Sequence, residues 1–159
     1  MSIVRPLVIL FLFAGFAFAQ QNPPARPAPK LEPIAETKLL MQGLAQANFK
    51  GLERLLEKQP QENQAWIFAR GQALLIGETA NLLMLRPPRK QGQDAWFERS
   101  IELRTQAVSL AQHIANKDYD RSKASFVALA NSCNRCHQQF RVNVQIAPFA
   151  DLEPGRMTE

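Results

Sequence analysis

Two cysteines and a histidine stand together near the end of the chain, in the segment Cys133-Asn134-Arg135-Cys136-His137. The 159 residues contain no other cysteine, and the only other histidine is His113. Thiols form thioethers, bind metals or exchange disulfides, and an imidazole ligates iron or zinc. Residues three and four apart share one face of a helix, so a helical segment would present both thiols and the imidazole on the same side.

The spacing C-x-x-C-H is the attachment sequence for c-type haem. In that interpretation Cys133 and Cys136 form thioethers to the porphyrin edge, and His137 ligates the iron. A redox-active dithiol, half of a zinc site and a chance match are the alternatives. A thioredoxin-like dithiol expects a βαβ context, and zinc wants four ligands where the chain offers only His113 beyond the motif. The pattern therefore favours one covalently bound haem c.

The N-terminal residues have the features of a secretory signal. Residues 1–19 carry Arg5, then an apolar run, and end in the small-x-small pattern Ala17-Phe18-Ala19. We expect cleavage before Gln20 and a periplasmic or secreted protein, with a retained anchor as the alternative. The run is shorter than the roughly 20 apolar residues that span a bilayer, so no stable membrane span should remain after cleavage. The Pro-rich residues 20–33 predict an extended spacer.

Composition and charge narrow the class of protein. The chain is 46% hydrophobic and 21% charged, which is typical of one globular domain. Its 19 Lys and Arg against 14 Asp and Glu give a net charge of +5, and these charges are scattered. Scattered charge favours docking to an acidic protein partner over binding to nucleic acid. No catalytic triad, paired carboxylates or phosphate loop is present, so we expect no enzymatic turnover.

The elements that position the motif are predicted to be helices. Apolar residues recur at steps of three and four over residues 34–58, 61–85, 93–116 and a fourth segment that Asp118 or Asp120 caps. The predicted buried stripes are Met41, Leu44, Asn48, Leu52 and Leu55; Trp66, Ala69, Ala73, Ile76, Ala80 and Leu83; Phe97, Ile101, Val108, Ala111 and Ala115, flanked by Leu103, Ala107, Leu110 and Ile114; and Phe126, Leu129, Ala130, Cys133, Cys136, His137 and Phe140. Short connections predict an all-α, antiparallel four-helix bundle over residues 34–142, followed by a flexible tail, residues 143–159.

A secreted chain with four helices and one C-x-x-C-H near the end of the last resembles the cytochrome c-prime family. The match lies in residues 133–141, where Phe140 and Arg141 stand at the aromatic and arginine positions that commonly follow the haem histidine. The resemblance implies a haem inside one end of the bundle, His137 as proximal ligand and Arg141 beside the proximal face. Arg141 has a plainer alternative role, as a cap of helix carbonyls or a partner of a haem propionate.

The resemblance also implies a sixth iron position that faces the first helix. Met41 lies there, and a Met ligand would raise the reduction potential and exclude other ligands, as suits single-electron transfer with redox partner proteins. The alternative is that Met41 fills the core while Leu40 or Leu44 covers a five-coordinate iron. Such an iron would bind small gases such as nitric oxide or carbon monoxide. Met84 is a weaker candidate ligand, and a haem-free bundle is a third interpretation.

Three further features complete the sequence prediction. His113 falls on the polar side of the third helix and is expected at the surface. Arg104 lies on the apolar stripe, where it would pair with a propionate or extend outward. The loop of residues 86–90, which carries three basic side chains, could dock an acidic redox partner. The first two helices could pair two copies of the chain through Trp66 or through the apolar residues 82–85.

Overall fold

The computed structural model describes residues 29–150, and this part of the chain contains four helices and no strand. Helix α1 is continuous over residues 37–56, helix α2 is Asn63–Met84, helix α3 is Gln93–Ala115 and helix α4 is Tyr119–Gln139. All four belong to one compact unit, which begins at Leu31. The all-α prediction is therefore confirmed. The predicted signal peptide and most of the predicted spacer lie outside the described residues.

Consecutive helices pack side by side, as an up-and-down bundle requires. Helix α1 packs on α2, α2 on α3, and α3 on α4. One end of the bundle therefore contains the N-termini of α1 and α3 and the C-termini of α2 and α4. At this end Arg86 Nε donates to the Ala35 carbonyl at 3.1 Å, and Trp96 Nε1 donates to the Leu83 carbonyl at 2.7 Å. We call it the motif end, because residues 133–137 occupy the last turns of α4.

Helices α1 and α4 close the bundle over part of their length only. Their contact runs mainly through residues 47–56 of α1, where the rings of Phe49 and Phe126 stack with centroids 4.5 Å apart. The first part of α1 instead has α2 as its main neighbour. The two helices are thus joined away from the motif end, and their ends at the motif end are not held by this packing.

The predicted stripe of α2 is confirmed, and that of α4 is confirmed as far as Cys133, because Cys136, His137 and Phe140 are only half-buried. All six predicted residues of α2 are buried, as are Phe126, Leu129, Ala130 and Cys133 of α4. Trp66 is among them, and its Nε1 donates to the Pro60 carbonyl at 2.9 Å. Trp66 therefore offers little surface to a second copy of the chain, because its ring belongs to the core.

The stripe of α1 is offset from the predicted one. A π-helical segment, Met41–Gln46, stands between the α-helical segments Thr37–Leu40 and Ala47–Leu56. Because a π turn holds more residues than an α turn, the face that points at the core moves along the sequence. The fully buried apolar residues of α1 are Leu40, Phe49, Leu52 and Leu56. The predicted Met41, Leu44 and Leu55 are partly buried beside them.

Helix α3 buries the residues that flank its predicted stripe, but of the stripe itself it buries only Ala111. Ile101 and Val108 are 45% and 49% exposed, and Ala115 is exposed as well. The buried apolar side chains of α3 are Leu103, Ala107, Leu110, Ala111 and Ile114. Arg104 lies on the exposed side, where its Nη1 donates to Asn81 Oδ1 at 3.1 Å. The assignment of Ile101 and Val108 to the core is therefore wrong.

Helices α3 and α4 end in the same kind of turn. After α3, Lys117 N–H donates to the Ile114 carbonyl and Asp118 N–H to the His113 carbonyl. These two bonds form a Schellman motif, which requires a left-handed residue, and Lys117 adopts it with φ of 55°. Asp118 then caps α4, as predicted, since its Oδ1 accepts from the Arg121 N–H at 3.1 Å.

Replacement of Lys117 by Gly is expected to stabilise the protein by roughly 0.5–1 kcal/mol, because only glycine adopts the left-handed region without strain. The measurement is the free energy of unfolding in urea. Lys117→Ala is the control, since it also removes the charge but keeps the Cβ that causes the strain. Equal free energies of unfolding for the two variants would show that strain in the left-handed backbone does not lower the stability of the protein.

Residues 142–150, which we call the strap, fold back along α4. Ile146 and Phe149 pack against the core, and the Phe149 ring lies 5.4 Å from that of Phe126. The Phe149 N–H donates to Glu53 Oε1 at 2.5 Å, which ties the strap to α1. This part of the chain differs from the flexible tail that the sequence predicted from residue 143. No helix in residues 29–150 has the length and hydropathy needed to cross a membrane.

Candidate functional site

The two thiols lie on the inner side of α4. Cys133 is buried with 9% of its surface exposed, Cys136 one turn later is half-buried, and both are free thiols. Helical spacing accounts for this, since Cys133 continues the buried stripe of Phe126, Leu129 and Ala130. Both sulfurs are therefore presented at the edge of the core, at the motif end.

Burial keeps both thiols protonated. It raises the pKa of Cys133 to about 12, and the neighbouring Cys136 sulfur adds to the effect. Burial also raises the pKa of Cys136, against the opposing charge of Arg99. Both groups are therefore neutral thiols at neutral pH, unlike the low-pKa thiolates of dithiol oxidoreductases. This observation disfavours the dithiol interpretation of the motif.

The imidazole of His137 is oriented by the strap. Its Nδ1 lies 3.0 Å from the backbone oxygen of Val144. A carbonyl oxygen only accepts, so in the neutral ring the hydrogen lies on Nδ1 and Nε2 keeps its lone pair. Histidines that bind metals commonly donate their second N–H to a carbonyl in this way. His137 is thus held in the tautomer that suits a metal ligand.

Met41 is placed at the same end of the bundle as His137. It begins the π segment in the first turns of α1, while His137 lies in the last turn of α4. Met41 is partly buried against the core, next to the buried Leu40. π-Helical segments are rare and often occur at functional sites. The topology brings Met41 and His137 to one end of the bundle, as the Met-ligand hypothesis requires, and Leu40 and Leu44 lie there too.

Phe140 and Arg141 form the turn that ends α4. The Phe140 ring packs edge-on against Trp96 of α3, with centroids 5.1 Å apart. Arg141 has a φ of 56° and donates its N–H to the Gln138 carbonyl, while Val142 N–H donates to the His137 carbonyl. This is the second Schellman motif, so the backbone of Arg141 caps the helix. Its side chain is exposed.

Of the two remaining candidates, Met84 lies at the motif end and His113 does not. His113 lies near the end of α3, which is the opposite end of the bundle, and it is half-buried. Met84 is half-buried at the end of α2, at the motif end. Within residues 29–150 no three His, Cys, Asp or Glu side chains are grouped to hold a metal ion. The zinc interpretation of the motif thus gains no ligands from the fold.

The donor set fits a covalently attached haem. Two neutral thiols and an imidazole with a free Nε2 share one face of α4. Neither thiol is in a disulfide, so both can form thioethers. The face lies where α1 and α4 are not packed on each other. Cys133 and Cys136 would hold the porphyrin edge, and His137 would hold the iron.

Two residues that contribute contacts at this site could not be predicted from the sequence. The first is Val144, which acts through its carbonyl, a group that every residue carries. The second is Asn134, whose amide pairs with both backbone groups of Ile146. Asn134 stands at a variable position of C-x-x-C-H, so its type alone predicted nothing.

The raised pKa of Cys133 makes the stability of the haem-free protein depend on pH. The unfolded thiol ionises near pH 8.5, whereas the folded thiol keeps its proton until about pH 12. Stability is therefore complete below about pH 8.5 and falls as the pH rises toward 12, by about 1–2 kcal/mol between pH 8.5 and 10. Urea unfolding of the haem-free chain at these two pH values measures it.

Cys133→Ala is the control for this prediction, because alanine cannot ionise. The variant should lose less stability than the wild type over the same pH interval. Equal losses in both proteins would show that another group causes the pH dependence.

The cytochrome C' family model matches residues 91–141, which cover α3, α4 and the C-x-x-C-H motif. No curated protein and no solved structure shows significant similarity to the chain.

Proposed function

Because this match and the helical bundle assign the chain to the cytochrome c′ family, a family of c-type haem proteins, we propose that the protein is a single-electron carrier. Cys133 and Cys136 would hold one haem c through thioethers, and His137 and Met41 would ligate its iron. The observation that carries the proposal is the placement of Met41 and His137 at one end of the bundle, on helices that do not pack together there.

The bound haem supplies a one-electron couple whose potential depends on its axial ligands. The chain's own residues bind and orient it. His137 presents Nε2 because Val144 holds Nδ1–H. The buried side chain of Leu40, at the same end of the bundle, would help to keep water from the inner face. A thioether from Met41 would occupy the last coordination position, so that small molecules do not bind. We propose no enzymatic turnover.

Partner recognition is proposed to involve the motif end. The connection between α2 and α3 carries Arg86, Arg89 and Lys90, and Lys38 lies at the start of α1 at the same end. A redox partner with an acidic surface would be attracted to this end, where the electron enters and leaves. The family setting and the residues of the N-terminal segment favour a periplasmic or secreted location.

A second function is supported by Leu40, which is 7% exposed and adjacent to Met41. If Leu40 instead of Met41 covers the iron, the protein is a five-coordinate haem protein that binds gases such as nitric oxide or carbon monoxide. The same fold and attachment residues serve both functions. The sixth ligand decides between them.

The test uses protein produced in a host that attaches haem c. Intact mass should show the chain plus one haem, and the oxidised spectrum should contain a sulfur-to-iron charge-transfer band. Adding carbon monoxide to the reduced protein should leave its spectrum unchanged. A high-spin spectrum that carbon monoxide shifts would replace electron transfer by gas binding, and a colourless protein of unmodified mass would overturn the haem assignment.

A further inference from the structure

The strap is fastened to α4 from inside the C-x-x-C-H motif. Asn134 Nδ2 donates to the Ile146 carbonyl at 2.7 Å, and the Ile146 N–H donates back to Asn134 Oδ1 at 2.8 Å. One side-chain amide thereby satisfies both backbone groups of one strap residue. This reciprocal pair fixes where Ile146 lies and which way its peptide groups point.

The residue that contacts His137 lies between two fixed points of the strap. On one side, Val142 is held by the Schellman turn through its bond to the His137 carbonyl. On the other side, Ile146 is held by Asn134. Val144 stands midway, with its N–H bonded to the Val142 carbonyl at 2.9 Å. The direction of the Val144 carbonyl, which accepts from His137, therefore depends on both anchors.

The strap itself has little else to hold it near the motif. Residues 142–145 are exposed, and Ile146 is the first strap residue that packs against the core. Exposed segments with few buried contacts open at low free energy. Without the bonds from Asn134, the exposed residues 142–145 would be held mainly by the turn that ends α4 and by the packing of Ile146 and Phe149 against the core.

We propose that Asn134 is a positioning residue for the axial histidine. It holds the strap so that Val144 keeps its hydrogen bond to His137 Nδ1–H, which fixes the plane of the ring and makes the imidazole a stronger electron donor. A stronger donor stabilises ferric over ferrous iron and lowers the reduction potential. This inference rests on the proposed function, since it needs iron at His137.

The experiment compares haem-loaded Asn134→Ala with Asn131→Ala. Asn131 lies one turn earlier on α4 and is exposed, so the control makes the same change in the same helix. We expect the His137 Nδ1 proton to exchange with D2O about tenfold faster in Asn134→Ala, as loss of one hydrogen bond predicts. We also expect its reduction potential to rise. Asn131→Ala should match the wild type in both.

A second variant changes Ile146, the strap residue that pairs with Asn134. Ile146→Pro removes the N–H that donates to Asn134 Oδ1 and leaves α4 unchanged. It should move proton exchange and potential in the same direction as Asn134→Ala. Ile146→Ala is its control, because it also removes the side chain that packs against the core but keeps the N–H. If Asn134→Ala folds poorly, the comparison of these two Ile146 variants decides the question.

The outcomes separate this inference from the proposed function. Intact mass of the wild type is measured first, and a chain without haem would overturn both proposals. Haem-loaded variants with wild-type proton exchange and wild-type potential would overturn only the role of Asn134. Faster exchange and a higher potential in Asn134→Ala and Ile146→Pro, but not in Asn131→Ala, would support it.

Discussion

Replacement of Met41 by Leu is expected to convert a low-spin haem into a high-spin one. Leucine has nearly the same volume as methionine, so the packing beside Leu40 should be kept while the only sulfur at this position is lost. The sulfur-to-iron band should disappear, and the reduced variant should bind carbon monoxide. The reduction potential should fall by on the order of 0.1–0.3 V, within the roughly 0.8 V over which axial ligands move haem potentials.

Met84→Leu is the matched control. Met84 is half-buried at the end of α2, so it also lies at the motif end and undergoes the same change. Its spectrum and potential should equal those of the wild type. If Met84→Leu loses the band while Met41→Leu keeps it, the ligand is on α2 and not on α1. If the wild type is already high-spin and Met41→Leu changes nothing, the protein is a gas-binding one.

The helices that could be predicted well, α2 and α4, have regular α-helical geometry. In α2 and α4 the residues three and four apart that were predicted as buried, from Trp66 to Leu83 and from Phe126 to Cys133, are buried. Each of these helices has neighbours that cover one side, so periodicity and burial coincide. The motif could be predicted for the same reason, since its chemistry depends on local spacing.

The predictions for α1 and α3 were less accurate for two different physical reasons. The π segment Met41–Gln46 changes the number of residues per turn, so a pattern read with the α-helical period misses the buried Phe49 and Leu56, although it includes Leu52. In α3 apolar residues cover more than one side. Only contact with α2 and α4 decides that Leu103 is buried and that Ile101 and Val108 are exposed.

The strap could not be predicted because its order comes from tertiary contacts. The alternation of Val142, Val144 and Ile146 is too short to indicate an element, and the segment forms neither helix nor strand. Its hydrogen bonds go to Asn134, His137 and Glu53, which lie up to 96 residues away in the chain. The hydrogen bond that orients His137 therefore comes from a residue that carries no recognisable motif.

Phe126→Ala is expected to destabilise the protein by about 3–5 kcal/mol, the usual cost of removing a buried aromatic ring. Phe126 is fully buried, and its ring contacts Phe49 of α1 at 4.5 Å and Phe149 of the strap at 5.4 Å. The value should lie toward the upper end of the range, because α1 and α4 touch over a short length and few other side chains can move in to fill the cavity. Urea unfolding of the purified protein measures the change.

Val127→Ala provides the control, since Val127 is the next residue of α4 and is 41% exposed. Its truncation should change the free energy of unfolding by less than about 0.5 kcal/mol. A loss of about 1 kcal/mol or less for Phe126→Ala would mean that α1, α4 and the strap do not meet at this ring. If the ring does join them, Phe126→Ala should also speed exchange of the His137 Nδ1 proton, because the strap that holds Val144 loses its far anchor while Asn134 is unchanged.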